Sequence, residues 1–532
     1  MGGVYRETPY RPTTTIVGKA PLMGSCRLTF TMCAFATLFN LILMRYNLSF
    51  ALVCMVSDTS ADFLKSGSSR NFSEDGLGKD GCPVHQQNPG SAVVTHGEFE
   101  WSKAVQGRVL SGFFYGYVAS QALGGWASDR WGGKRLFVLG NLLQSVATLL
   151  LPAAARLHHD ALFALRLLQG LVCGFSLPSV YQLYTRWAAP EERTALMGVA
   201  YTGFPLANVV IFPLSGVLCQ ATALGGWPSI FYVTGAFGFV CSVVCWFLVY
   251  ENANEHPRIS AEEREYLNAV AVKETGKPPS IPWGSVLRSG PVMAYLVAHF
   301  CYSWGFVTLA VNLPLFMKEV LFFDLHQNGM LSALPYLGVL VVRIIVSLTF
   351  TGCQKRTGLS LTNLRKLNHT VGTLGAAASL LGVASLSCQQ QFWAVLVLTA
   401  GQAVTDLAFT GGYVLSFLDL APRLAGTLTG AANALGNLPG VLAPTMVGYL
   451  TTNGTREEWT VVLYVTAAFY VVGAAVYLVL GSSEQQPWAP GDAKSPPDIE
   501  MEPLQLPEKA PHPRTDVNSN GIPQQPTTTK LL

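Results

Sequence analysis

Charge is scarce in this chain. Lys, Arg, Asp and Glu make up 12% of its 532 residues, about half the roughly 25% of an ordinary soluble domain, which argues against a soluble cytosolic enzyme. No CxxC pair occurs among the 11 cysteines, and Cys33, Cys54, Cys173, Cys219, Cys241, Cys245 and Cys301 lie inside apolar runs. Most of the cysteines therefore read as small membrane hydrophobes. The net charge is only +3, with no basic cluster interleaved with aromatics, so nucleic acid is not an expected partner. A nucleophile–base pair, a metal-spaced cluster and a phosphate loop are also missing, so neither enzymatic activity nor a metal or cofactor is expected.

What is abundant is apolar sequence, 50% of the chain, with a mean hydropathy of +0.35. Long apolar runs begin near residues 28, 106, 136, 161, 194, 229, 289, 327, 367, 391, 424 and 459, each long enough to cross about 30 Å of hydrocarbon as a helix. The expected fold is all-α: a polytopic membrane protein of twelve transmembrane helices in two six-helix repeats. With both termini inside, the inside segments hold most of the loop Lys and Arg. The short outside connections hold only Arg156, Lys318 and Arg456, as the positive-inside rule requires. The expected division is a cytosolic tail (1–27), a first half (28–250), an inter-half loop (251–288), a second half (289–480) and a disordered cytosolic tail (481–532). No cleavage site follows a short hydrophobic core, and Arg6 stands where myristoylation wants Ser or Thr.

The outside loop over 57–103 contains Asn71-Phe72-Ser73, and Asn453-Gly454-Thr455 lies on the same side, so Asn71 and Asn453 are the expected glycan acceptors. Asn47-Leu48-Ser49 falls within a span and Asn368-His369-Thr370 beside an inside loop. Neither of those is expected to carry sugar.

Between the second and third spans stands Gly125-Trp126-Ala127-Ser128-Asp129-Arg130-Trp131-Gly132-Gly133-Lys134-Arg135. Gly125 allows close helix contact, Asp129 suits a helix N-terminus or a neighbouring arginine, and Arg130, Lys134 and Arg135 with Gly133 form a basic gate. The segment resembles the signature loop of the major facilitator superfamily. After span eight, Thr351-Gly352-Cys353-Gln354-Lys355-Arg356 has no acid. A narrower resemblance, over nearly the whole chain, is to the anion and cation symporter family (solute carrier 17). That family includes sialin, the vesicular glutamate transporters and the type I sodium-phosphate cotransporters. Its bearers are Arg45-Tyr46-Asn47-Leu48-Ser49, Phe113-Phe114-Tyr115-Gly116-Tyr117, Trp187-Ala188-Ala189-Pro190-Glu191-Glu192-Arg193, Gly226-Trp227-Pro228-Ser229, Leu334-Pro335-Tyr336-Leu337-Gly338 and Leu418-Asp419-Leu420-Ala421-Pro422-Arg423. Tyr302, in Ala298-His299-Phe300-Cys301-Tyr302, stands where the glutamate transporters place an arginine, so sialin looks like the nearest branch.

Inside the spans the charges are Arg45, Arg108, Arg166 and Arg343 against one acid, Asp406. An interior so biased to cations wants an anionic ligand. Arg108 and Arg166 can snorkel from outer helix ends, and Arg343 can pair with Asp406. Arg45, deepest and without an obvious acid, is the expected substrate contact, because a guanidinium grips a carboxylate through two parallel hydrogen bonds. Asn47, Tyr117, Tyr302 and His299 complete the expected binding set, with Asp406, Arg343 and Arg166 as coupling candidates. The expected function is a secondary active or facilitative transporter of small organic anions working by alternating access. The alternatives are a sodium-dependent phosphate cotransporter or a transporter-like receptor. The resemblance places glutamates where this chain has Gln169 and Cys173, and a histidine where it has Tyr181, which puts proton coupling by the usual residues in doubt. Sodium or protons, an anionic substrate and membrane lipid are the expected partners, in a lysosomal, vesicular or plasma membrane.

Overall fold

The computed structural model describes residues 21–57, 97–271, 281–414, 416–421 and 424–489. Asn71 with most of its loop, the N-terminal tail through residue 20, the tail from 490, and the surroundings of Gly125 and of the Asp129 side chain lie outside what is described. Twelve helical rods run through these residues. They are α1 (Cys26–Met55), α2 (Lys103–Trp131), α3 (Gly133–Leu157), α4 (His159–Trp187), α5 (190–220), α6 (Pro228–Leu248), α7 (Gly290–Glu319), α8 (Leu325–Thr357), α9 (Leu361–Ser385), α10 (391–413 and Ser416–Leu420), α11 (425–450) and α12 (Arg456–Leu480). Among the described residues nine are long and apolar enough to cross a membrane on their own. The remaining three, α2, α9 and α11, pack among them.

Local sequence explains where the rods start. Ser25, Ser102, Asp324 and Ser360 each accept a backbone N–H of the first turn, and Thr455 with Glu458 forms a capping box. Four rods are broken within their length: α4 at Gly174, α5 at Thr202, α10 by a π-helical turn over Leu407–Tyr413, and α11 at Asn437 and Leu438. In a membrane, broken backbone survives only where protein or a cavity covers it, which places these breaks at internal surfaces.

One face of the bundle gathers the ends that flank the 57–102 connection. There Arg156 and the Trp227 indole both bond to Glu98, and Arg156 holds the Glu98 carboxyl below the usual carboxylate range. The two halves are fastened together at this face. Lys103 pairs with Glu319, the Lys318 ammonium donates to Val53 O at 3.3 Å, and Ser49 donates to Ala310 O at 3.3 Å and also to Val311 O. Gly216 and Gly329 let α5 and α8 touch backbone to backbone, since a Cβ on Gly216 would lie 3.1 Å from Leu325 O. At the opposite face, a short helix of the inter-half connector, Ala261–Ala271, docks on α1. Its Glu263 accepts from the backbone N–H groups of Cys26 and Arg27 at 3.0 Å and pairs with the Arg27 guanidinium, which also meets Glu192 at 2.6 Å. Burial beside this contact holds the His256 imidazole below its ordinary pKa.

Two expectations need correction. Cys54 and Cys219 are not free membrane hydrophobes but a disulfide joining the last turns of α1 and α5, with Cα atoms 6.5 Å apart. A separation of 165 residues hides that proximity from the sequence. The loop that the resemblance implies over 125–135 is confined to one residue: α2 continues to Trp131, α3 begins at Gly133, and Gly132 reverses the chain at φ 89, a conformation that suits glycine. Residues 351–356 are likewise the last turns of α8, which ends at Gly358 with φ 65.

Candidate functional site

Arg45 stands on α1 at mid-bundle, 9% exposed. Its guanidinium carbon lies 4.5 Å from the Phe114 ring centre, 4.9 Å from Tyr117, 5.3 Å from Phe113 and 5.6 Å from Tyr46. One terminal nitrogen donates to Asn437 Oδ1 at 3.1 Å, its Nε has no partner, and among the described residues no carboxylate pairs with it. Aromatic faces stabilise such a cation without satisfying its N–H groups.

From Asn437 a hydrogen-bonded chain runs into the second half. Asn437 Nδ2 donates to Asn433 Oδ1 at 3.2 Å, the same oxygen meets His299 Nε2 at 3.4 Å, and His299 Nδ1 meets the Tyr413 hydroxyl at 2.9 Å. The polarity is self-consistent: Nε2–H donates to Asn433, and the Tyr413 O–H donates to Nδ1. Of the expected binding set, Arg45, Tyr117 and His299 thus meet around one locus. Tyr302 lies beside it, its ring 5.1 Å from Phe409 and 5.8 Å from Tyr413. Asn47 does not join. Two residues beyond Arg45 is about 200° around a helix, and Asn47 is fully buried, donating to Thr234 on α6 at 3.2 Å.

The other arginines have different partners. Arg343 and Asp406 are paired at 2.6 Å, with Thr410 donating to the second carboxylate oxygen at 2.7 Å. Arg166 does not snorkel. It is 1% exposed and donates to Met44 O at 3.1 Å, Arg45 O at 2.8 Å and Gln169 Oε1 at 3.1 Å, so it braces the backbone that presents Arg45. Gln169 donates in turn to Thr148 at 2.8 Å. Arg108, near the start of α2 and half exposed, pairs with Asp160 at 2.7 Å. His158, His159 and Asp160 have ligand atoms within 4.8 Å of one another, but His158 and Asp160 are exposed, His159 is half-buried, and Asp160 already serves Arg108.

Of the residues expected to form a gate, Arg130 and Arg135 are exposed and Lys134 Nζ lies 4.4 Å over the Tyr250 ring. Among the described side chains the acid at the α3 N-terminus is Glu251, which accepts from Gly133 N at 3.0 Å and Lys134 N at 2.8 Å and pairs with Arg186. Sequence reasoning missed Glu251, Asn433, Asn437 and Tyr413. A lone acid closing the apolar run of α6 was the available signal for Glu251. Two asparagines four apart in an otherwise apolar span were the signal for Asn433 and Asn437.

Two halves of six rods with broken helices meeting at a polar centre make a multi-pass membrane transporter. The family model of the Major Facilitator Superfamily matches residues 34–356. Sialin of Homo sapiens is 33% identical over 490 residues, 91% of this chain and 95% of that one. Vesicular glutamate transporter 2 of Homo sapiens is 35% identical over 409 residues, 75% of this chain and 69% of that one. The inward open xylose transporter XylE from E. coli shares the fold at a TM-score of 0.59 and 11% identity, over 85% of this chain and 96% of that one. The chain belongs to the Major Facilitator Superfamily, in the solute carrier 17 branch that holds sialin and the vesicular glutamate transporters.

Proposed function

We propose that this transporter carries small organic anions, receiving the carboxylate at Arg45 and passing it between the two halves by alternating access. The observation that carries the reading is a nine-tenths buried guanidinium that meets no carboxylate among the described residues and holds one neutral amide, with its Nε unpartnered. A cation so placed is costly without an acceptor, and a carboxylate supplies two. Tyr117, His299 and Tyr302 surround the same locus. The uptake test is a panel of radiolabelled sialate, glutamate, urate, nucleotide and phosphate in proteoliposomes. Accumulation of a carboxylate supports the reading, and accumulation of phosphate alone overturns it.

The proposed orientation puts both termini in the cytosol and the disulfide face in the lumen of a lysosome or vesicle, or outside the cell. Disulfides persist on oxidising sides of membranes, and Asn453, exposed between α11 and α12, lies on the same face as Cys54–Cys219. Glycans are expected at Asn71 and Asn453. They are not expected at Asn368, whose amide donates to Gly411 O at 3.2 Å. A glycosidase-sensitive mobility shift that survives removal of both Asn71 and Asn453 would overturn the orientation.

The proposed driving force is the membrane potential. Gln169 and Tyr181 do not titrate near neutral pH, and Asp406 is engaged by Arg343 and Thr410. Each net negative charge moved is worth about 2.3 kcal/mol per 100 mV, roughly a fifty-fold concentration ratio. In liposomes a potassium–valinomycin potential at equal pH should drive uptake, and a pH gradient at clamped potential should not. The reverse result would move attention to His299.

A further inference from the structure

We propose that Asn437 is the resting ligand of Arg45: its amide oxygen holds the place an anion's oxygen takes, and its release links anion binding to the break in α11. The inference rests on the reading of Arg45 as the anion's partner, and it makes Asn437 a positioning residue that sets charge selectivity.

Arg45 belongs to the first half and Asn437 to the second, and a single hydrogen bond of 3.1 Å joins them. Without an anion that amide is the acceptor the guanidinium has at mid-bundle, apart from aromatic faces. An amide oxygen is a neutral, one-point acceptor. A carboxylate brings charge and two oxygens in the geometry of the guanidinium fork, and such charge-assisted pairs are about twice as strong as neutral ones. Exchange of Asn437 for a carboxylate is therefore favourable. Exchange for a neutral molecule of the same shape replaces one neutral acceptor by another and gains little. The resident amide thereby raises the threshold for entry against uncharged compounds.

The surroundings fix the amide in this role. Its Nδ2 donates to the Asn433 carbonyl at 2.7 Å and to Asn433 Oδ1 at 3.2 Å, so Oδ1 is the end turned to Arg45. When Arg45 lets go, Asn437 stays anchored to its own half. It also sits where α11 is broken. Ala425–Gly436 ends just before it, Pro439 opens the next segment, and its backbone N–H is shared between Asn433 O at 3.1 Å and Ala434 O at 3.3 Å. Bending a helix at such a residue sacrifices few backbone bonds. Next to the break, Gly436 lies against the His299 ring, where a Cβ would come within 2.0 Å. Movement of the break is therefore felt by His299. An arriving anion cuts the central tie between the halves at the point where α11 bends most cheaply.

The test compares Asn437→Asp with Asn437→Ala in proteoliposomes, using radiolabelled sialate, glutamate and urate, each offered alone. Aspartate places a fixed carboxylate on Arg45 as a tethered competitor, so the half-saturating concentration should rise roughly tenfold or more. Alanine removes the competitor, so half-saturation should fall several-fold while the maximal rate also falls. Shifts in opposite directions cannot come from misfolding, which would cut the amount of active protein and leave half-saturation alone. Wild-type half-saturation in both variants, or an equal rise in both, would overturn the inference. Arg45→Lys separates it from the reading beneath it: if that variant loses uptake while Asn437→Asp is unchanged, Arg45 binds the anion and Asn437 does not compete. If Arg45→Lys is also normal, or the wild type neither binds nor carries any of the three, the anion site itself is refuted.

Discussion

Replacing Arg45 by lysine is expected to lower anion uptake by roughly 10- to 100-fold, the equivalent of one charge-assisted hydrogen bond of about 1.5–3 kcal/mol, with normal amounts of protein in the membrane. Lysine keeps the charge. It loses the planar fork that can hold Asn437 with one nitrogen and an incoming oxygen with another, and it loses the flat face set 4.5 Å over Phe114. Uptake with wild-type apparent affinity would make Arg45 structural. Arg166→Lys is the instructive control, because its donors end on the carbonyls of Met44 and Arg45. That change should reduce folded protein more than it changes affinity.

Asp406→Ala is expected to destabilise the protein by about 3–5 kcal/mol, the usual cost of removing one partner from a buried pair. Asp406 is fully buried, and it accepts from both Arg343 and Thr410. Its loss strands a guanidinium whose alternative is the face of Phe409 at 5.2 Å. It also removes the anchor at the start of the π-turn that carries Tyr413 to His299. Thermal unfolding in detergent measures the loss, and the double variant Arg343→Gln/Asp406→Asn should be less destabilised than Arg343→Gln or Asp406→Asn alone. Additive effects would mean that the two groups do not depend on each other.

The fold was legible because membrane spans obey one strong rule: apolar runs must be long and backbone bonds must close within the segment. The expected start near residue 391 coincides with the observed one, and those near 229 and 289 differ from it by a single residue. The pairing of Arg343 with Asp406 was also readable, since one acid among four span arginines has few choices. The cysteine reading failed at Cys54 and Cys219 because an apolar neighbourhood says nothing about which helix end lies opposite. Asn47 was drawn into the binding set by its nearness to Arg45 in the chain, although a step of two residues turns it to the far side of the helix.

By itself the sequence determined the number of spans, the excess of cation in the interior and the family. Each of these depends on composition, periodicity or short motifs. Only the tertiary structure decided which span arginine, among the described residues, is left with a single neutral side-chain acceptor. That depends on what each guanidinium meets across a helix interface: Arg166 finds carbonyls of α1, Arg343 finds Asp406, Arg108 finds Asp160, and Arg45 finds one neutral amide from the other half. A hydrogen bond is a matter of ångströms between residues hundreds of positions apart, and no local pattern encodes that distance.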